Sequence, residues 1–131
     1  MHSKKILIVE DEKEAVALLE GFLRDEGFTA IESANDGISA TRKASKFLPD
    51  LVLLDIKIPG GDGISVLKKM KQTASLAKVP IIVITGVTDD TMKKRLLSTG
   101  ISAYFQKPYK PEVLIAEIKK ALSASVGTGM I

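Results

Sequence analysis

The side chains with the most chemistry to offer each stand just after a short apolar run. Glu10, Asp11 and Glu12 follow Ile6-Leu7-Ile8-Val9. Asp55 follows Leu51-Val52-Leu53-Leu54, Thr85 follows Ile81-Ile82-Val83-Ile84, and Lys107 follows Ala103 to Gln106. Taken singly, each has an ordinary structural explanation. Asp11 reads as a helix N-cap, Thr85 as a structural strand end and Lys107 as a surface lysine. Together they read differently, because clustered acids repel one another unless a cation sits among them. A hard divalent cation such as Mg²⁺ suits carboxylate oxygens and is commonly held beside phosphate. A carboxylate such as Asp55 can also carry a phosphoryl group as an aspartyl phosphate. The phosphoryl oxygens then need Mg²⁺, an ammonium and a hydroxyl or N–H around them.

Other chemistries are excluded by composition. The chain has no cysteine, so disulfide frameworks, thiolate metal sites and thiol catalysis are absent. Its single histidine, His2, lies at the N-terminus, which leaves no histidine triad and no multi-histidine metal site. Trp is absent and aromatic residues make up 5% of the chain, too few for a stacking platform for single-stranded nucleic acid.

The elements that position these residues follow from hydrophobic patterning. The three runs at 6–9, 51–54 and 81–84 are continuous rather than alternating, as in strands buried on both faces of a parallel sheet. Thr29 to Ser33 and Ala103 to Gln106 complete five strands. Helical spacing fills the intervals: Ala15, Leu19, Phe22 and Leu23 between about Glu12 and Glu26, ended by Gly27; Ile38, Thr41, Ala44 and Leu48, stopped near Pro49; Ile64, Leu67 and Met70; Met92, Leu96 and Leu97, ended at Gly100; and Leu114, Ile118, Ala121 and Leu122, with Pro111 suited to a first turn. Strand then helix, five times over, predicts an α/β parallel sheet with helices on both faces and right-handed crossovers. Ligands bind such sheets at the carboxyl ends of the strands, where all the candidate residues fall.

With 131 residues, 45% hydrophobic and 27% charged, the chain makes one globular domain with a real core. The expected boundaries are 4–122 for the domain and 123–131 for a flexible tail rich in Ser, Gly and Thr. The net charge of +3 is small, and the denser groups Lys68-Lys69-Lys71 and Lys93-Lys94-Arg95 read as solvated helix faces. No direct nucleic-acid contact is expected, since that needs a larger one-sided excess of base. The first apolar run is too short for a secretion signal and meets acids. The chain is therefore expected to be soluble and cytoplasmic, with no membrane partner. Pro59-Gly60-Gly61-Asp62-Gly63 reads as a tight turn launching the third helix, with Asp62 a cap or turn residue; no Gly-Lys-Ser/Thr follows to make a phosphate loop.

In order along the chain, Ile6-Leu-Ile-Val-Glu-Asp-Glu, Leu51-Val-Leu-Leu-Asp-Ile-Lys-Ile-Pro-Gly-Gly-Asp-Gly63, Ile82-Val-Ile-Thr-Gly86 and Tyr104-Phe-Gln-Lys-Pro108 resemble the receiver domain of two-component response regulators, over about Lys4 to Ala121. The likeness is to a single-domain, chemotaxis-regulator type. It implies a doubly wound, flavodoxin-like fold with five parallel strands in the order 2-1-3-4-5 and five helices. By the same resemblance Asp55 is the phosphoacceptor. Glu10, Asp11, Asp55 and the backbone carbonyl of Lys57 hold Mg²⁺, Thr85 and Lys107 bond phosphoryl oxygens, and Tyr104 is an aromatic switch. The Lys107–Pro108 bond is expected to be cis.

A phosphoprotein of this kind receives its phosphoryl group from a histidine kinase or histidine phosphotransfer protein of a phosphorelay. It signals to a downstream protein through the fourth helix, fifth strand and fifth helix, and is not an enzyme beyond its own phosphorylation and dephosphorylation. Two alternatives stay open: a receiver that is part of a longer hybrid kinase or transcription factor, and a Mg²⁺-dependent phosphohydrolase with an aspartyl nucleophile. The latter usually wants a second acid two residues on, where this chain has Lys57. Two features depart from the commonest family pattern: Glu10 where Asp is more usual, and Lys57, whose ammonium either leans over the acid cluster and opposes Mg²⁺ or points to solvent.

Overall fold

The computed structural model describes residues 3–58, 63–86 and 89–129, with side chains as far as Ser123. Five strands and five helices alternate: β1 (Lys5–Val9), α1 (Lys13–Asp25), β2 (Ala30–Ala34), α2 (Gly37–Phe47), β3 (Leu51–Leu54), α3 (Gly63–Gln72), β4 (Ile81–Thr85), α4 (Asp90–Thr99), β5 (Ala103–Gln106) and α5 (Pro111–Gly129). All strand pairs are parallel and the sheet order is β2-β1-β3-β4-β5. The expected doubly wound α/β architecture is the one observed. Helical backbone in α5 continues into the segment read as a tail. Residues 59–62, with the expected turn and the cap or turn role of Asp62, lie outside the described residues.

Alternation along each strand divides the core into two layers. Ile6, Ile8, Leu51, Leu53, Ile82 and Ile84 face α1 and α5, against Leu19, Leu23, Leu114 and Ile118. Leu7, Val9, Val52, Leu54, Ile81 and Val83 face α2, α3 and α4, against Ala40, Ala44, Leu67, Met70 and Leu96. Each fully buried aliphatic side chain contributes roughly 1.5–3 kcal/mol by leaving water. This two-sided burial is why the strands read as unbroken apolar runs.

Three local expectations need correction. On α2 the covered residues are Gly37, Ala40 and Ala44, while Ile38 is 64% exposed, and Leu48 falls just past the helix end at φ 52°, 47% exposed. Small side chains spaced by three and four let this helix lie close on the sheet, which turns the larger ones outward. On α4 only Leu96 is buried and Leu97 is 51% exposed, because the helix covers the sheet with a narrow stripe. Asp11 does not cap α1: the N-cap position is Glu12, with no side-chain cap bond. Side-chain caps do occur at Asp36, which accepts from Ser39 N–H at 2.7 Å, and at Asp89, which accepts from Thr91 N–H at 2.8 Å. The glycines that end α1 and α4 fall where a left-handed residue is required, Gly27 at φ 94° and Gly100 at φ 97°.

Candidate functional site

The parallel register brings the strand ends level. Val9 lies opposite Leu54, so Glu10 and Asp55 leave the sheet side by side. Their backbones stay tied to it, Glu10 N–H donating to Ala34 O at 2.9 Å and Asp55 N–H to Val9 O at 2.9 Å. Thr85 is the last residue of β4 and is fully buried; its carbonyl accepts from Lys107 N–H at 2.9 Å, which aligns the end of β5.

At this end of the sheet Glu10, Asp11 and Asp55 offer carboxylate oxygens that all lie within 4.8 Å of one another. Glu10 and Asp55 are buried, at 3% and 6% exposure, and Asp11 is exposed. The Lys107 ammonium reaches between the buried pair, 2.5 Å from Glu10 Oε1 and 3.0 Å from Asp55 Oδ2. Asp55 Oδ1 accepts from Lys57 N–H at 3.0 Å, and Glu10 Oε2 accepts from Glu12 N–H at 3.2 Å. Burial raises the Glu10 pKa against the opposing pull of Lys107. Burial alone would lower the Lys107 pKa, but hydrogen bonds to Glu10 and Asp55 outweigh it and the value is raised. The causes differ: burial dominates at Glu10, and hydrogen bonding to the two acids dominates at Lys107. Three hard oxygen donors in such a pocket fit a divalent cation of the Mg²⁺ type.

Other expected residues fall as follows. The Lys57 side chain is exposed and makes no ion pair among the described residues; the cation paired with the acids is Lys107. Tyr104 is half-buried, packs against the core layer that faces α2, α3 and α4, and lies with Lys93 Nζ 5.3 Å from its ring centroid. The Lys107–Pro108 bond is cis, as the resemblance implied.

Two features had not been expected. Gly63 donates its N–H to Ile56 O at 2.8 Å and sits so close to the loop after β3 that a Cβ would stand 2.5 Å from Ile56 Cα and 2.7 Å from Asp55 O. No side chain fits between this helix start and the segment that carries Asp55. The only hint in the sequence was a run of glycines. The second feature is a largely apolar cleft of about 420 Å³, lined in part by Leu18, Leu19, Phe22, Tyr109 and Pro111, which opens beneath Glu10, Asp55 and Lys107.

This geometry, an acid triad and a lysine at one end of a 2-1-3-4-5 sheet, is accompanied by a direct sequence match. Residues 6–119 match the profile of the response regulator receiver domain. The chain belongs to the response regulator receiver domain family. It is 34% identical over 120 residues to the phosphate regulon transcriptional regulatory protein PhoB of Escherichia coli K12, covering 92% of this chain and 52% of PhoB. It is 37% identical over 123 residues to the alkaline phosphatase synthesis transcriptional regulatory protein PhoP of Bacillus subtilis, covering 94% and 50%. This receiver thus spans about half the length of those curated relatives.

Among solved structures, the signal receiver domain of a signal transduction histidine kinase from Syntrophus aciditrophicus is 31% identical, with a TM-score of 0.86 and coverage of 93% and 92%. The receiver domain of the sensor histidine kinase PA1611 from Pseudomonas aeruginosa, 28% identical with a TM-score of 0.83 and coverage of 92% and 98%, holds a magnesium ion in its active-site cleft. Receiver domains of response regulators are signalling modules of two-component systems rather than enzymes in the ordinary sense. Among the described residues, no helix is long and apolar enough to cross a membrane.

Proposed function

We propose that this receiver accepts a phosphoryl group on Asp55, with Mg²⁺ held by Glu10, Asp11, Asp55 and the backbone carbonyl of Lys57. The observation that carries this reading is the buried Asp55 carboxylate, grouped with two further acids and bonded by Lys107 at 3.0 Å. Bound there, Mg²⁺ would supply positive charge to the phosphoryl oxygens.

The chain's own residues do the remainder. A carboxylate oxygen of Asp55 attacks phosphorus, the bond to the donor breaks, and the leaving group keeps its electron pair. Where the donor is a phosphohistidine of a kinase or phosphotransfer protein, the leaving imidazole takes up a proton. Lys107 pairs with one phosphoryl oxygen and the Thr85 hydroxyl bonds another. Each such charge-assisted bond is worth roughly 1.5–3 kcal/mol. Movement of Thr85 toward the phosphoryl group opens room for Tyr104 to turn inward, which alters the face formed by α4, β5 and α5 for a downstream protein in the cytoplasm. The exposed Lys57, two residues after Asp55, supplies no second acid for turnover on outside phosphate esters.

Intact-mass analysis after incubation with Mg²⁺ and acetyl phosphate tests this reading. One phosphoryl mass should be added, lost in hydroxylamine, and absent in Asp55→Asn. Equal labelling of Asp55→Asn would overturn it. A second reading, a receiver working within a longer polypeptide, is favoured by relatives in which the matching region is 52% and 50% of the length.

A further inference from the structure

Charges that are interspersed along the sequence are sorted by the fold. α2 carries Arg42, Lys43 and Lys46, α3 carries Lys68, Lys69 and Lys71, and neither helix contains Asp or Glu. The two helices pack side by side on one face of the sheet. All six bases except Lys71 are exposed, and none makes an ion pair among the described residues. On the opposite face α1 holds Glu14, Glu20 and Asp25 against Lys13 and Arg24. Asp36, which caps α2 and feels the charge of Arg42, is the acid beside these bases; the remaining patch on the two adjacent helices is of one sign, so it repels itself and attracts a partner of opposite sign.

The patch is grooved rather than flat. Recesses of about 430 and 400 Å³ share Ile38, Thr41 and Lys69, and so form one channel between α2 and α3. Arg42, Lys68 and Lys69 stand along it, Val66, Met70 and Leu76 lie buried in its floor, and Ile38 projects 64% exposed at its wall. Charged rim and apolar wall call for a ligand with both chemistries. A nucleic-acid backbone offers phosphates but no aliphatic side chain to fill the wall at Ile38, and the channel lining has no aromatic side chain on which a base could stack. A polypeptide carrying carboxylates and an aliphatic side chain meets both.

We infer that the α2–α3 channel docks an acidic segment of a partner protein, with an aliphatic side chain seated against Ile38 and carboxylates paired with Arg42, Lys68 and Lys69. The channel is distinct from the acid cluster around Asp55 and from the α4–β5–α5 face, so engagement there leaves both open.

The test uses the full chain, labelled with ¹⁵N and titrated with two synthetic peptides and a short DNA duplex. One peptide alternates Glu with Leu; the other alternates Glu with Ser at equal charge. The Glu-Leu peptide should shift the amides of Ile38, Thr41, Ser65 and Gln72 saturably, and should bind more tightly than the Glu-Ser peptide. Ile38→Ser should remove that preference. Lys68→Ser combined with Lys69→Ser should weaken binding about tenfold. Each replaced side chain is exposed, and an unchanged melting temperature checks the fold of the variants. Three results overturn the assignment: shifts mapping to another face or none that saturate, equal affinity for both peptides with no effect of Ile38→Ser, or a duplex that displaces the Glu-Leu peptide at physiological salt.

Discussion

Replacing Gly63 with Ala should destabilise the protein and disturb the Asp55 loop, although alanine is the better helix former. The added Cβ would stand 2.5 Å from Ile56 Cα, 2.7 Å from Asp55 O and 3.0 Å from Ile56 O. Carbon atoms rest at about 3.5–4.0 Å, so the start of α3 must retreat by about 1 Å. All three obstacles are backbone, so no rotamer change relieves them. A retreat of that size breaks the 2.8 Å bond from Gly63 N–H to Ile56 O. The lost bond costs about 0.5–1.5 kcal/mol and the overpacking about 1–3 kcal/mol. Relief from glycine's helix penalty returns at most about 1 kcal/mol. The net expectation is a loss of about 0.5–3.5 kcal/mol in a urea unfolding curve followed by far-UV circular dichroism. Amide shifts should change at Asp55 and Ile56 in the same variant. A Gly63→Ala protein as stable as the parent, with those amides unmoved, would refute the close approach as a constraint.

Gly21 is the converse case. It is exposed inside α1, and a Cβ added there would meet nothing within 4 Å, so Gly21→Ala should raise stability by about 0.5–1 kcal/mol in the same assay. Lys107→Met keeps the length of the side chain but leaves Glu10 and Asp55 buried without their cation; it should cost about 1.5–3 kcal/mol, and added Mg²⁺ should raise its melting temperature more than that of the parent. Lys57→Met should leave Mg²⁺ affinity unchanged in a titration at low salt, because the exposed Lys57 ammonium pairs with none of the described acids. Asp36 has its pKa lowered from 3.8, chiefly by the Ser39 N–H bond. Its capping contribution is therefore complete above 3.8 and is lost as pH falls through the lower folded value. The stability difference between Asp36→Ala and the parent, from urea midpoints, should shrink on acidification through that window; a difference independent of pH would mean that the ionised cap contributes nothing.

Strands and their order of appearance were legible because burial on both faces of a parallel sheet leaves an unbroken apolar run, as at Ile6–Val9 and Leu51–Leu54. Helix ends at Gly27 and Gly100 were legible because only a residue without a Cβ takes those φ values easily. The residues of the acid cluster could be named because each follows a strand. What joins them is tertiary: Lys107 meets Glu10 across 97 positions of sequence and Asp55 across 52. No periodicity says that Lys107, and not Lys57, lies between the acids; the fold decides it by sending one lysine into the pocket and the other into water. The same holds for Ala40 and Ala44, which cover the sheet while the larger Ile38 turns outward. It holds too for the bases of α2 and α3, which are separated in sequence by the whole of β3 yet share a face. Local patterning encodes which side of its own element a residue occupies. Which distant side chains, charges and backbones then meet follows from the crossovers that pack one element against another, and that is the level at which this protein's candidate site and its basic channel arise.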